Sequence, residues 1–390
     1  MNTIVITSYG TLGDNLPYIE LGKALKKRGH QVRMAVNEAM HPYVLKAGLQ
    51  VFAVGRPKMG PQEVQRYAHE WNHWTRLRTQ SPDIGEIKIK SQGFTYDPID
   101  SMSSVLEAAN DADMLISCPF QYKVAEMITN KINICLVRSC VTPSYLCFPR
   151  SENERQKASP YGLQNAKNLN RFIFAASPYF CKLLPEYSQV HQTGFWFYED
   201  PDWSSWQPSQ ELREFVEGEP APLVLSYSSV PVENPQEFVE VHVRAAAKLN
   251  RRILIQQGWA NFNESYLPSD IDKNHVMFID GLISQDWLFS HAAALITHGG
   301  VGTIARSLCN GCPMVVEPLG NDQFYNALQL LKLRVGAPMD SQKLTVDGIA
   351  NILHKKVLTP DYKRRSVAVG EKIKAEQGLI TACDLIESWL

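Results

Sequence analysis

The stretch THGGVGTIARSLCNGCPMVVEPLGNDQ, Thr297 to Gln323, sets a histidine beside a glycine cluster and an Asp-Gln pair after the next apolar run. The residues before it, AALITH, read as a buried strand ending at His298. Gly299, Gly300 and Gly302 then open a helix. PMVVEP reads as the next strand and NDQFYNALQLLKL as the next helix. Strands alternating with helices make a parallel sheet, and ligands of such sheets gather beyond the carboxyl ends of the strands. His298 and the pair Asp322 and Gln323 both fall at such ends.

The same alternation extends in both directions. PLVLSYSS, RILIQQ and HVMFID are strands, and NPQEFVEVHVRAAAKLN and QDWLFSHA are helices. The first half starts with a strand over residues 2–8, a loop YGTLGDN and a helix over LPYIELGKALKKRGH, with Asn15 as its N-cap and Gly29 as its C-cap. QVRMAV, a short helix HPYVLKAG, and LQVFAV follow, then ADMLISC and INICLVRS as further strands. Between residues 198 and 210 proline, tryptophan and acidic residues cluster and periodicity is lost, which marks a boundary and a candidate hinge. The expected architecture is α/β, with two Rossmann-like domains. Residues 1–200 form the first and 201–370 the second, with closing helices at the end of the chain.

Composition fits this. With 390 residues, 44% hydrophobic and 20% charged, each half can bury a core. A net charge of −1 supplies no basic field for nucleic acid. The start, MNTIVITSYG, reads as a strand rather than a leader, and no apolar run reaches the ~18–20 residues of a membrane helix. The expectation is a cytoplasmic protein with at most peripheral membrane contact. Arg150, Arg155, Lys157, Lys167 and Arg171 would be the residues to touch an anionic surface if the acceptor is a lipid, but Glu152 and Glu154 dilute their charge and they are read as a solvated face. The eight cysteines are scattered, and the single CxxC, Cys309 and Cys312, has no second pair to complete a zinc site.

The chemistry follows from residue types. Glycines at a helix start let a phosphate approach free amides, His298 adds a hydrogen bond, and Thr303 donates from the first turn. The GxxxxGK[ST] lysine of a P-loop is missing. Asp322 and Gln323 together accept from and donate to sugar hydroxyls, or Asp322 is simply an N-cap. Phosphate beside sugar describes a nucleotide sugar. Asp14, in the loop after the first strand, is placed to take a proton from an attacking hydroxyl as a general base. Asp111 and Asp113 have DxD spacing but precede a strand, the wrong end for a metal-diphosphate site. Tyr67, Trp71, Trp74, Phe94 and the stretch Pro143–Phe148 either line an apolar acceptor pocket or belong to the core.

These residues carry a resemblance. ITHGGVGTIARSLCNGCPMVVEPLGNDQ with SQDWLF before it, TGFWF at Thr193–Phe197, and TSYGTLGDNLPYIELGKALKKRGHQV resemble the motifs of GT-B glycosyltransferases of family 1. The likeness is to sterol 3-β-glucosyltransferases and bacterial antibiotic-aglycone glycosyltransferases. It implies an inverting, metal-independent transfer of a hexose from a nucleotide sugar, UDP-glucose in first place, to a small apolar acceptor. It implies that His298, Gly299, Gly300, Gly302 and Thr303 hold the diphosphate and that Asp322 and Gln323 hold the sugar. Ser229 lies near the phosphates, and Leu282, Ile283 and Gln285 line the base. The likeness also implies that Asp14, otherwise a helix cap near Asn15, is the general base facing an interdomain cleft, and that the closing helix, residues 371–390, returns to the first domain.

Three positions depart from the pattern. Ser228 stands where relatives have glycine, Leu282 where plant enzymes have tryptophan, and Arg306 where they have a ribose-binding glutamate. Arg306 either meets a phosphate or points to solvent, and solvent is the expected reading. Two other readings share the architecture. One is a nucleotide-sugar epimerase or hydrolase, which needs its own acid/base pair on the sugar. The other is a non-catalytic glycosyltransferase-like partner, which would have lost the base or the His298 cradle.

Overall fold

The computed structural model describes residues 1–55, 61–66, 68, 101–143, 146–147, 169–281, 283–320 and 322–390. They divide into two compact units. One comprises Met1–Glu63, Gln80–Pro201 and Glu376–Leu390, the other Val64–Thr79 and Asp202–Ala375.

In the first unit the strands are β1 (Thr3–Thr7), β2 (Gln31–Val36), β3 (Gln50–Ala53), β4 (Met114–Ser117), β5 (Cys135–Cys140), β6 (Phe172–Phe174) and β7 (His191–Gln192). They form a parallel sheet in the order β3-β2-β1-β4-β5-β6-β7. Ile4, Val5 and Ile6 are fully buried, as expected of a strand covered on both faces. Burying each such side chain contributes roughly 1.5–3 kcal/mol. Helix α1 (Leu12–Lys27) follows β1 and packs close to the sheet at Gly22, where a Cβ would come within 2.9 Å of Leu49 Cδ1.

The expected start of α1 is corrected. It begins one turn earlier, at Leu12, with Thr11 as N-cap. Thr11 and Asp14 form a reciprocal capping box, which outcompetes Asn15 as a start signal. Asn15 is instead buried within the helix. It accepts from Ser8 Oγ at 2.7 Å and donates to the carbonyls of Gly10 and Thr11 at 3.1 and 2.9 Å.

The second unit holds β8 (Leu223–Ser226), β9 (Ile253–Gln256), β10 (Val276–Ile279), β11 (Ala294–Thr297), β12 (Met314–Val316) and β13 (Gly336–Pro338). The order is β10-β9-β8-β11-β12-β13, again parallel. Its helices include α2 (Pro235–Lys248), α3 (Gln285–His291), α4 (Val301–Cys309), α5 (Gln323–Leu333) and α6 (Pro360–Lys374). The last helix, α7 (Gly378–Ser388), lies in the first unit, packed on α1. The neighbouring strands β8, β11 and β12 set three βα connections side by side at the carboxyl edge of this sheet, and this positions the site.

Candidate active site

In the second unit, β11 delivers His298 at its carboxyl end, 5% exposed. Gly299 turns the chain at φ 96°, where a Cβ would also collide with Val316. Gly300 is the N-cap of α4, and a Cβ there would sit 2.5 Å from His298 Nε2. The imidazole therefore folds against the helix start because residue 300 has no side chain. Nδ1 lies 3.4 Å from Thr297 Oγ1. Burial holds the His298 pKa down at about 4, against a weaker upward pull from the Ser226 carbonyl, so the ring is neutral.

No side chain caps α4. The first ladder bond there runs from the Ile304 amide to the Gly300 carbonyl at 3.1 Å, so the N–H groups of Val301, Gly302 and Thr303 form an uncapped helix start. A Cβ at Gly302 would meet nothing within 4 Å, so the protein itself does not demand glycine there.

Asp322 is the N-cap of α5, and its Oδ2 accepts from Asn326 Nδ2 at 2.8 Å. Asn326 also donates to the Gly299 carbonyl at 2.9 Å, which ties the two helix starts together. Gln323 is 7% exposed. Its Oε1 accepts from the amides of Leu319 and Gly320 at 2.8 and 3.1 Å, leaving the Nε2 end as the donor. Ser229 is buried in the turn after β8, beside Ser228 at φ 49°. Ile283 is buried and Gln285 starts α3, whose N-cap is Ser284. Leu282, Tyr67, Trp71, Trp74 and Phe94 lie outside the described residues, as do residues 144, 145 and 148 of the stretch Pro143–Phe148.

The expectation for Arg306 is overturned. It is 8% exposed and pairs with Asp286 Oδ2 at 2.5 Å, while Asn310 takes the other carboxylate oxygen at 2.6 Å. A guanidinium on the inner face of α4 finds a carboxylate on α3, and so it does not turn outward.

In the first unit, Asp14 is half-buried in the first turn of α1. Its Oδ2 accepts from the Thr11 amide at 2.9 Å and from Thr11 Oγ1 at 3.2 Å. Gly10, at φ 134°, leaves the space the carboxylate fills, since a Cβ there would overlap it. Burial raises the Asp14 pKa to about 6, partly offset by the two bonds from Thr11. The loop is held from beneath by Asn37, whose Oδ1 accepts from the Gly10 amide at 3.3 Å. Asp113 accepts from the Thr3 amide and Asp111 pairs with Arg33, so both serve the amino edge of the sheet. Among the described residues no group of three or more His, Cys, Asp or Glu side chains gathers. Cys312 is buried, with its thiol pushed up to about 11.

Residues 205–377 match the family described as UDP-glucoronosyl and UDP-glucosyl transferase, and residues 4–81 match the glycosyltransferase family 28 N-terminal domain. The chain is a glycosyltransferase of the GT-B fold. This glycosyltransferase is 28% identical to O-mycaminosyltylonolide 6-deoxyallosyltransferase of Streptomyces fradiae, over 99% of this chain and 97% of that protein. It is 22% identical to a sterol 3-beta-glucosyltransferase of Komagataella phaffii, over 97% of this chain and 34% of that one, so it spans about a third of the length of that relative. Its fold matches the calicheamicin glycosyltransferase CalG4 with a TM-score of 0.71 at 15% identity, covering 100% of this chain and 98% of that one. It matches the glycosyltransferase VinC, solved with dTDP, with a TM-score of 0.66 at 16% identity, covering 99% of each. Among the glycosyltransferase's described residues, no helix is long and apolar enough to cross a membrane.

Proposed function

We propose that the enzyme is an inverting, metal-independent transferase. It moves a hexose, glucose in first place, from a UDP-sugar to a hydroxyl of a small apolar acceptor such as a sterol-like, polyketide or other natural-product aglycone. The observation that carries this reading is the uncapped start of α4 beside a buried imidazole, with Gly302 open to an incoming group. Three free amides and the helix dipole favour a diphosphate there, and the diphosphate's charge draws the neutral His298 toward protonation. The Nε2 donor of Gln323 and the Asp322 carboxylate then suit the sugar hydroxyls. Asp14 takes the acceptor's hydroxyl proton. The freed oxygen bonds to the anomeric carbon as the bond to the diphosphate breaks, and that electron pair leaves with the diphosphate, steadied by the cradle. One displacement inverts the centre. The acceptor class is supported by the relatives' names, a tylonolide and sterols, and UDP by the name of the matching family.

Calorimetric titration with UDP, dTDP and GDP tests the reading. UDP is expected to bind, and His298→Ala to weaken it roughly 10–100-fold. Asp14→Asn is expected to keep nucleotide binding and to lower transfer about 10²–10⁴-fold. A chain that binds none of the three sinks the cradle.

A further inference from the structure

Behind the cradle lies a buried acid that the transfer chemistry does not use. Glu317 follows β12 and is fully buried, with its amide bonded to the Thr297 carbonyl at 2.8 Å. Its Oε2 accepts from the Tyr227 hydroxyl at 2.6 Å. His242, on α2 and also fully buried, brings Nε2 to 3.1 and 3.2 Å from the two carboxylate oxygens. The other ring nitrogen, Nδ1, faces the Phe238 carbonyl at 2.7 Å. Both ring nitrogens thus face acceptors, and only the imidazolium can donate to both. Burial pulls the His242 pKa down, but Glu317 and the Phe238 carbonyl outweigh it and the net shift is upward.

Tyr227 connects this pair to the site. It is the residue after β8, fully packed, with its ring edge-on to Phe238 at 4.7 Å. The same ring lies 5.7 Å from the His298 imidazole, tilted by 53°. His298 is therefore walled by Tyr227 and by the Gly300 backbone. A buried charge pair is a weak source of stability, since apolar residues of similar volume commonly replace one at no cost. Holding an orientation is a better account of it.

We infer that Glu317, backed by His242, is a positioning residue for His298: it anchors the Tyr227 hydroxyl, and the Tyr227 ring holds the imidazole in the orientation that meets the donor diphosphate. This rests on the reading of His298 as a diphosphate ligand.

The test begins without nucleotide. ¹H–¹⁵N correlation spectra of the free protein, with His298 assigned through His298→Ala, report that ring's tautomer and environment. In Tyr227→Phe the ring remains and the anchor is lost, so the His298 signals should move and broaden, and UDP affinity should fall roughly tenfold. Glu317→Gln keeps an acceptor for the hydroxyl, so its His298 signals should stay close to wild type. If Tyr227→Phe does not fold, Glu317→Met with His242→Leu removes the charge pair as a unit and should disturb His298 in the same way. Unchanged His298 signals in either folded variant overturn the inference. A wild type that binds no nucleotide rejects the diphosphate reading instead, while the free-protein spectra still decide the positioning.

Discussion

Asp14 is pulled in two directions by its own neighbourhood. The bonds from the Thr11 amide and hydroxyl favour the anion, and burial favours the neutral acid. Burial prevails, and a pKa of about 6 leaves a carboxylate that is ionised at neutral pH yet basic enough to accept a proton. Transfer by wild type should therefore rise as pH passes through about 6 and then level off. The sign for stability is the opposite. The folded pKa lies above the ordinary value of 3.8, so Asp14 costs stability at pH 7, and the cost is relieved as pH falls from about 6 toward 3.8. Asp14→Asn keeps an acceptor for Thr11 and removes the charge. It should raise unfolding free energy at pH 7 by roughly 1–3 kcal/mol. Urea titrations of the two proteins at pH 7 and pH 4 would check this, and an equal difference at both would count against it.

At the scale of elements, the turn after β8 carries a cost of its own. Ser228 sits at φ 49°, and its carbonyl accepts from the Trp259 amide at 2.8 Å, so the turn cannot relax without losing that bond. Ser228→Gly should stabilise the fold by about 0.5–1 kcal/mol, read from the denaturant midpoint, with nucleotide affinity unchanged. That position was legible in the sequence, because a residue with a Cβ replaces the glycine of the resembled motif. The βα alternation was legible too, since fully buried strands such as LVLS and ALIT read as apolar runs. The start of α1 was misplaced because Asn15 and Pro17 imitate a helix start, although the T-x-x-D of Thr11 and Asp14 held the better signal. The partners of Arg306 and Glu317 could not be read at all. Asp286 is 20 residues from Arg306, and His242 is 75 from Glu317, and only helix and strand packing brings them together. Strands β6, β7 and β13 are two or three residues long, too short to show any period.

At the scale of the molecule, TGFWF proves to be a landing place for the end of the chain. Gly194 turns at φ 102°, and Gly378 approaches so closely that a Cβ there would lie 2.5 Å from the Phe195 carbonyl oxygen. Ser177 Oγ donates to Glu376 at 2.7 Å, and Arg28 of α1 reaches Asp384 and Glu387 at 2.6 and 2.7 Å. Such surface pairs contribute little. The burial of Ala382, Cys383 and Ile386 contributes more. Removing residues 377–390 should cost the first unit several kcal/mol, on the order of 3–5. Hydrogen exchange should then show lost protection in α1 and β2 with the second unit unaffected, and uniform protection in both units would contradict this. The same return of the chain sets an order of events during synthesis. The second unit needs nothing beyond residue 375, whereas the first must wait for α7. On the ribosome, the half of the enzyme that is made first is completed last, and until then its α1 lacks the helix it packs against.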